Sequence, residues 1–153
     1  VAGLDAPAFM DMLYTNLLST LKPGKLRYGV MCGADGMVID DGTVMRLADD
    51  RYWVYTTTGN AASILDWMQE WQQTEWPQLR VFSTSLTDHM ATFPVVGPRS
   101  REVIGAVFGE LDVANDAFAF MDWRDTTFRG VPVRLEARLP SSGLVKQLDV
   151  VPR

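Results

Sequence analysis

Two adjacent aspartates, Asp40 and Asp41, close a short aliphatic run, Met37-Val38-Ile39. Ahead of it, residues 26–32 read as a strand, and Gly33-Ala34-Asp35-Gly36 joins the two as a turn in which glycine supplies positive φ. The pair is a β-hairpin. Side chains alternate along a strand, so Met37, Ile39 and Asp41 take one face while Val38 and Asp40 take the other. A two-residue loop at Ala34-Asp35 sets Tyr28 opposite Asp41, and a loop at Asp35-Gly36 displaces Tyr28 by one position along that same face. Either register brings the phenol to the Asp41 carboxylate; a bulge or odd-length loop would turn Asp40 to that face instead. A carboxylate on an otherwise apolar face needs a donor or solvent. Asp41 is therefore either a solvated strand end or a group lining a polar pocket.

Five further residues have side chains suited to chemistry. His89 is the only histidine; with no nucleophile near it in sequence it reads as a surface residue in a turn. Cys32, the only cysteine, reads as a small buried hydrophobe and excludes both an internal disulfide and a multi-cysteine zinc site. Trp67 and Trp71 are spaced to stack on a flat ligand, but a helical stripe of this kind turns to the core. Thr57, within Thr56-Thr57-Thr58, lies between a strand and a helix, where it either caps the helix or touches a ligand.

The elements that must position these residues follow from periodicity. Residues 5–21 carry apolar side chains at helical spacing, with Asp5 as candidate N-cap, Pro7 in the first turn and Lys22-Pro23-Gly24 as the stop. Strands are expected at 43–47 and 52–57, the second dense in aromatic and β-branched residues. A helix is expected over 60–76, closed by Pro77, then a strand pair at 79–85 and 90–96 and a short helix over 99–108. Residues 118–123, 126–128 and 131–138 read as further strands, with a turn at Gly130. Strands arriving in adjacent pairs between helices predict an α+β fold with a largely antiparallel sheet. Ser141-Ser142-Gly143 reads as a frayed tail.

With 153 residues, 47% hydrophobic and 22% charged, the chain suits one domain that folds in water. A net charge of −5 without a basic run argues against nucleic acid. Neither a signal peptide nor a long apolar run is visible, so no membrane partner and a cytoplasmic location are expected. The start at Val1 suggests a piece of something longer, or a processed chain.

Several motifs, taken in order, carry a resemblance. Tyr14-Thr15-Asn16, Leu21-Lys22-Pro23-Gly24-Lys25, Arg27-Tyr28-Gly29-Val30-Met31 and Gly36-Met37-Val38-Ile39-Asp40-Asp41-Gly42-Thr43 follow one another, then Arg46-Leu47-Ala48, Thr56-Thr57-Thr58, Thr74-Glu75-Trp76-Pro77 and Val96-Gly97-Pro98-Arg99. This order and spacing resembles the folate-binding part of sarcosine oxidase alpha subunits, in the family of the glycine cleavage T protein, an aminomethyltransferase. Met37 and Gly42 stand where the T protein usually has a glycine and a leucine, which favours the sarcosine oxidase branch. The resemblance implies a folate-binding segment over residues 1–139 and a divergent tail over 140–153. It implies that Asp41 approaches the pteridine nitrogens of tetrahydrofolate with Tyr28 nearby, that Thr57 is a weaker folate contact, and that Asp41 handles protons as the one-carbon unit from sarcosine is captured as 5,10-methylenetetrahydrofolate.

The same resemblance implies that flavin and NAD bind elsewhere in a hetero-oligomeric oxidase, since no glycine-rich dinucleotide fingerprint occurs here. Leu144 falls where the family carries a folate-binding glutamate, and the family's preceding strand is missing, so the isolated segment is expected to be inactive. A T-protein segment and a non-catalytic assembly module of an oxidase are the alternatives.

Overall fold

A computed structural model describes residues 1–138 and 147–152. The chain divides into two compact units, Val1–Ser85 and Leu86–Arg153. Every strand pairing is antiparallel, and helices pack with the sheets, as an α+β fold requires.

In the first unit the opening helix, α1, covers Ala6–Leu13 and stops well short of residue 21. Helical spacing continues past Leu13, but tertiary bonds override it. Tyr14 is extended, the Thr15 N–H donates to the Val30 carbonyl at 2.9 Å, and the Val30 N–H donates to Asn16 Oδ1 at 3.3 Å. The chain thus leaves the helix to lie along the first strand, and a 3-10 turn follows at Leu18–Thr20. Asp5 precedes α1 without capping it. Its carboxylate accepts the Arg80 backbone N–H at 2.8 Å and the Arg80 Nε–H at 2.9 Å, and this pairing holds its pKa below the ordinary value.

Three strands follow, β1 (Leu26–Cys32), β2 (Val38–Ala48) and β3 (Arg51–Val54), in the order β1-β2-β3. The two strands expected at 37–41 and 43–47 are one, running straight through Gly42. A Cβ at Gly42 would lie 1.8 Å from the Tyr55 carbonyl oxygen, so the bare Cα lets the chain after β3 press against β2. A 3-10 turn at Thr58–Asn60 leads into α2 (Ala61–Thr74), which ends two residues earlier than expected. Phe9, Met10 and Leu13 from α1, Met31 and Val44 from the sheet, and Met68 from α2 meet in one buried cluster. Each such side chain contributes about 1.5–3 kcal/mol by leaving water.

The second unit holds β4 (Phe93–Val96), α3 (Ser100–Val107), β5 (Trp123–Phe128), β6 (Val131–Arg138) and β7 (Gln147–Pro152). The sheet order is β4-β7-β6-β5. The expected pairing of 79–85 with 90–96 does not form. Phe82 makes only an isolated bridge to Ala2, and β4 pairs with β7 instead. Nor is 118–122 a strand: Phe118 is fully buried as an anchor of the cluster with Ile104, Phe108 and Leu135, and Met121 is left-handed at φ 64°. The β5–β6 hairpin turns through Arg129 and Gly130, whose φ values of 50° and 80° match a turn with positive φ at both central residues. Within it the buried Arg134 guanidinium binds both oxygens of Asp125 and lies 4.2 Å from the centre of the Trp123 ring. Gln147–Pro152, from the tail expected to diverge, forms β7 in this sheet, while Ser141-Ser142-Gly143 and Leu144 lie outside the described residues. Among the described residues no helix is long and apolar enough to cross a membrane.

Candidate functional site

The β1–β2 hairpin adopts the second of the two expected registers. Tyr28 stands opposite Thr43, Val30 opposite Asp41, and Met31 opposite Asp40. The connection is longer than two residues: the Gly33 N–H donates to the Met37 carbonyl at 2.8 Å, with Gly36 at φ 80° inside the turn. The register then shifts between Met31 and Cys32, so that Cys32 faces Val38 and Ile39 is the extra residue. This bulge undoes the simple alternation expected over 37–41. Ile39 packs against the core, while Val38 is exposed.

Beyond the bulge the two aspartates part. Asp40 points to the core side with Met31 and is 5% exposed. Asp41 takes the opposite face with Val30, Thr43 and Tyr28, and it is exposed. Tyr28, at 51% exposure, and Asp41 are diagonal neighbours, a spacing of roughly 7–8 Å that an aromatic side chain bridges. This second face is closed at its far end, where the opposed pair Leu26 and Met45 is buried, and open around Tyr28, Val30 and Asp41.

The inner face is built differently. The Thr57 N–H donates to both Asp40 oxygens, at 3.4 and 3.3 Å. Asn60 Nδ2 donates to the Ile39 carbonyl at 3.1 Å, and the Tyr55 N–H donates to the Thr43 carbonyl at 2.9 Å. Behind them the Tyr14 ring covers Gly29, where a Cβ would meet Tyr14 Cδ1 at 2.6 Å. Burial, then the Asp40 charge, push the Tyr14 phenol far above its ordinary pKa, so it stays neutral. Thr57 itself is exposed and its hydroxyl caps nothing; the residue's contribution is its backbone amide.

The remaining candidates lie apart from this arrangement. His89 is exposed, and its backbone N–H closes a turn on the Leu86 carbonyl. Cys32 is half-buried at the end of β1 rather than in the core, because the register shift falls beside it. Trp67 packs against the core as expected, but Trp71 is half-buried and stacked on Trp76 with ring centres 5.4 Å apart. Among the described residues no group of three or more His, Cys, Asp or Glu side chains is placed to hold a metal ion.

Residues 1–138 match the family described as the GCVT N-terminal domain. The chain belongs to this family. It is 53% identical over 144 residues to the sarcosine oxidase subunit alpha of Corynebacterium sp. (strain P-1), and 35% identical over 130 residues to that of Rhizobium meliloti. The alignments cover 94% and 85% of this chain but only 15% and 13% of those subunits. An aminomethyltransferase from Mycobacterium avium is 32% identical over 135 residues, covering 88% of this chain and 34% of that protein. The fold matches the crystal structure of glycine cleavage system aminomethyltransferase T from Bartonella henselae with a TM-score of 0.75 at 16% identity, over 98% of this chain and 37% of that one. Relative to its GCVT relatives, then, the chain corresponds to a segment, and within it the Tyr28–Asp41 face is the open polar surface of the first hairpin.

Proposed function

We propose that this chain is the tetrahydrofolate-binding part of a sarcosine oxidase alpha subunit. In that setting it holds the folate that captures the one-carbon unit from oxidative demethylation of sarcosine as 5,10-methylenetetrahydrofolate. The observation that carries the reading is the shared open face of Tyr28 and Asp41, in a chain 53% identical to sarcosine oxidase alpha subunits. The residues fit the ligand. A pteridine presents ring N–H and amino donors on a flat aromatic plate; the exposed Asp41 carboxylate is an acceptor for the donors, and the half-exposed Tyr28 ring offers a surface for the plate. Bound folate supplies the amine nitrogens that take up the one-carbon unit.

In this reading Asp41 orients those nitrogens by hydrogen bonding and accepts or returns a proton, while Tyr28 sets the angle of ligand and carboxylate. Flavin and NAD belong to other parts of the longer polypeptide or its partner subunits, within a cytoplasmic complex. The T-protein reading rests on the shared fold; the greater identity to the alpha subunits, with Met37 and Gly42 in the hairpin, favours the oxidase.

The test is titration calorimetry with tetrahydrofolate on the full-length subunit, comparing wild type with Asp41→Ala. Losing a hydrogen bond to a charged group costs about 1.5–3 kcal/mol, so affinity should fall by roughly 10-fold to 150-fold. Equal affinity and equal yield of methylenetetrahydrofolate would remove Asp41 from the mechanism.

A further inference from the structure

Asp40 has no place in the folate face, since it points away from it, yet it is a carboxylate kept 5% exposed at the heart of the hairpin. A buried carboxylate is costly to keep unless its bonds do something for the fold. Its protein donor is the Thr57 N–H, which reaches both oxygens. That bond joins two others that fasten residues 55–60 to β2. Asn60 holds the Ile39 carbonyl and Tyr55 holds the Thr43 carbonyl, so these attachment points on β2 fall at 39, 40 and 43. Asp41 lies between them. Gly42 completes the arrangement, because only a bare Cα leaves room for the Tyr55 carbonyl.

Resting on the folate reading above, we propose that Asp40 is the positioning residue of this site. Its buried carboxylate pins the Thr57 amide, fixes residues 55–60 along β2, and so sets the direction in which Asp41 leaves the opposite face. Asp40 touches no ligand. Of the three fastenings it is the one made by a charged group, and the one that a side-chain substitution on β2 removes. The Tyr14 phenol, buried and neutral, lies near enough to Asp40 to feel its charge.

The experiment uses the full-length subunit in its assembled complex, with Asp40→Ala, Asp40→Asn and Asp41→Ala, reading hydrogen exchange over residues 55–60 and tetrahydrofolate affinity. Asp40→Ala should speed exchange over 55–60 about tenfold and weaken folate binding about tenfold. Asp40→Asn, which keeps an acceptor oxygen for the Thr57 N–H, should stay within about threefold of wild type in both. With limiting folate, the Asp40→Ala defect should appear in KM more than in kcat, as expected when a binding surface is misaligned and the reacting groups are intact.

If Asp40→Ala does not fold, Thr57→Pro removes the same N–H at a φ of −58°, which proline accepts. It should then release Gly59 and Asn60 to exchange and weaken folate binding about tenfold. Unchanged exchange or unchanged affinity in these variants, with Asp41→Ala defective, overturns the positioning role and leaves the folate reading standing. Wild-type affinity in Asp41→Ala overturns the folate reading and the positioning role with it.

Discussion

At the scale of single residues, neighbouring aspartates in one strand have opposite fates because a pleated strand has two faces. Asp41 meets solvent; Asp40 is buried, accepts the Thr57 amide and lies near enough to Tyr14 for its charge to be felt there. The Tyr14 phenol gives this inner pocket a signature in alkali. Its folded pKa is raised above the unfolded value of about 10, so the folded state holds that proton more tightly. The stabilisation is complete below pH ~10 and is lost as pH rises from there toward the folded pKa. Urea unfolding of wild type and Tyr14→Phe should therefore show a stability difference that is constant from pH 7 to 9, with wild type losing stability relative to the variant above about 10. A difference independent of pH through that range would show that the phenol ionises as easily folded as unfolded.

At the scale of elements, the hairpin depends on two glycines placed opposite each other, Gly29 on β1 and Gly42 on β2. Each missing side chain admits something specific: the Tyr14 ring at one, the Tyr55 carbonyl at the other. A ring can tilt, whereas a carbonyl in a bonded segment has little freedom. Gly42→Ala should accordingly destabilise the first unit by about 1–3 kcal/mol, the range for overpacking a close contact. Gly29→Ala should cost less, and its cost should fall further when it is measured in a Tyr14→Ala background, where the ring it meets is gone. Equilibrium denaturation of the four variants measures both effects. Periodicity anticipated the hairpin, α2 and α3, and the glycine-containing turns at Gly36 and Gly130. It extended α1 too far because Leu17, Leu18 and Leu21 continue the helical spacing while Thr15 and Asn16 hydrogen-bond with Val30 instead. It also split β2, because glycine in a strand looks like a break unless one knows what approaches it.

At the scale of the whole chain, each of the two units has its own sheet and its own buried cluster. The second sheet has a weakness that the first lacks. Its inner strand β7 is the last among the described residues, and β4 reaches β6 only through it. Truncation after residue 146 should leave β4 without a partner and break up the second unit, while the first unit keeps its fold. Four of the five tryptophans, Trp53, Trp67, Trp71 and Trp76, lie in the first unit and report on it. Their fluorescence and cooperative unfolding should persist after truncation, with amide protection lost over 123–138. Retained protection there would mean that the β5–β6 hairpin with α3 suffices.

What the sequence determined by itself was local: the hairpin, its acidic end, the α+β class, and the family, carried by motifs in a fixed order over most of the chain. Alternation also placed Tyr28 with Asp41 in either register, because displacing strand partners by an even number of residues preserves the face. Tertiary structure decided the rest. The bulge at Ile39, the burial of Asp40, the use of Thr57 through its amide rather than its hydroxyl, and the pairing of β4 with β7 all depend on what comes near in space. Periodicity records which side of an element is apolar. It does not record which distant backbone group will arrive to satisfy a buried carboxylate or an open strand edge.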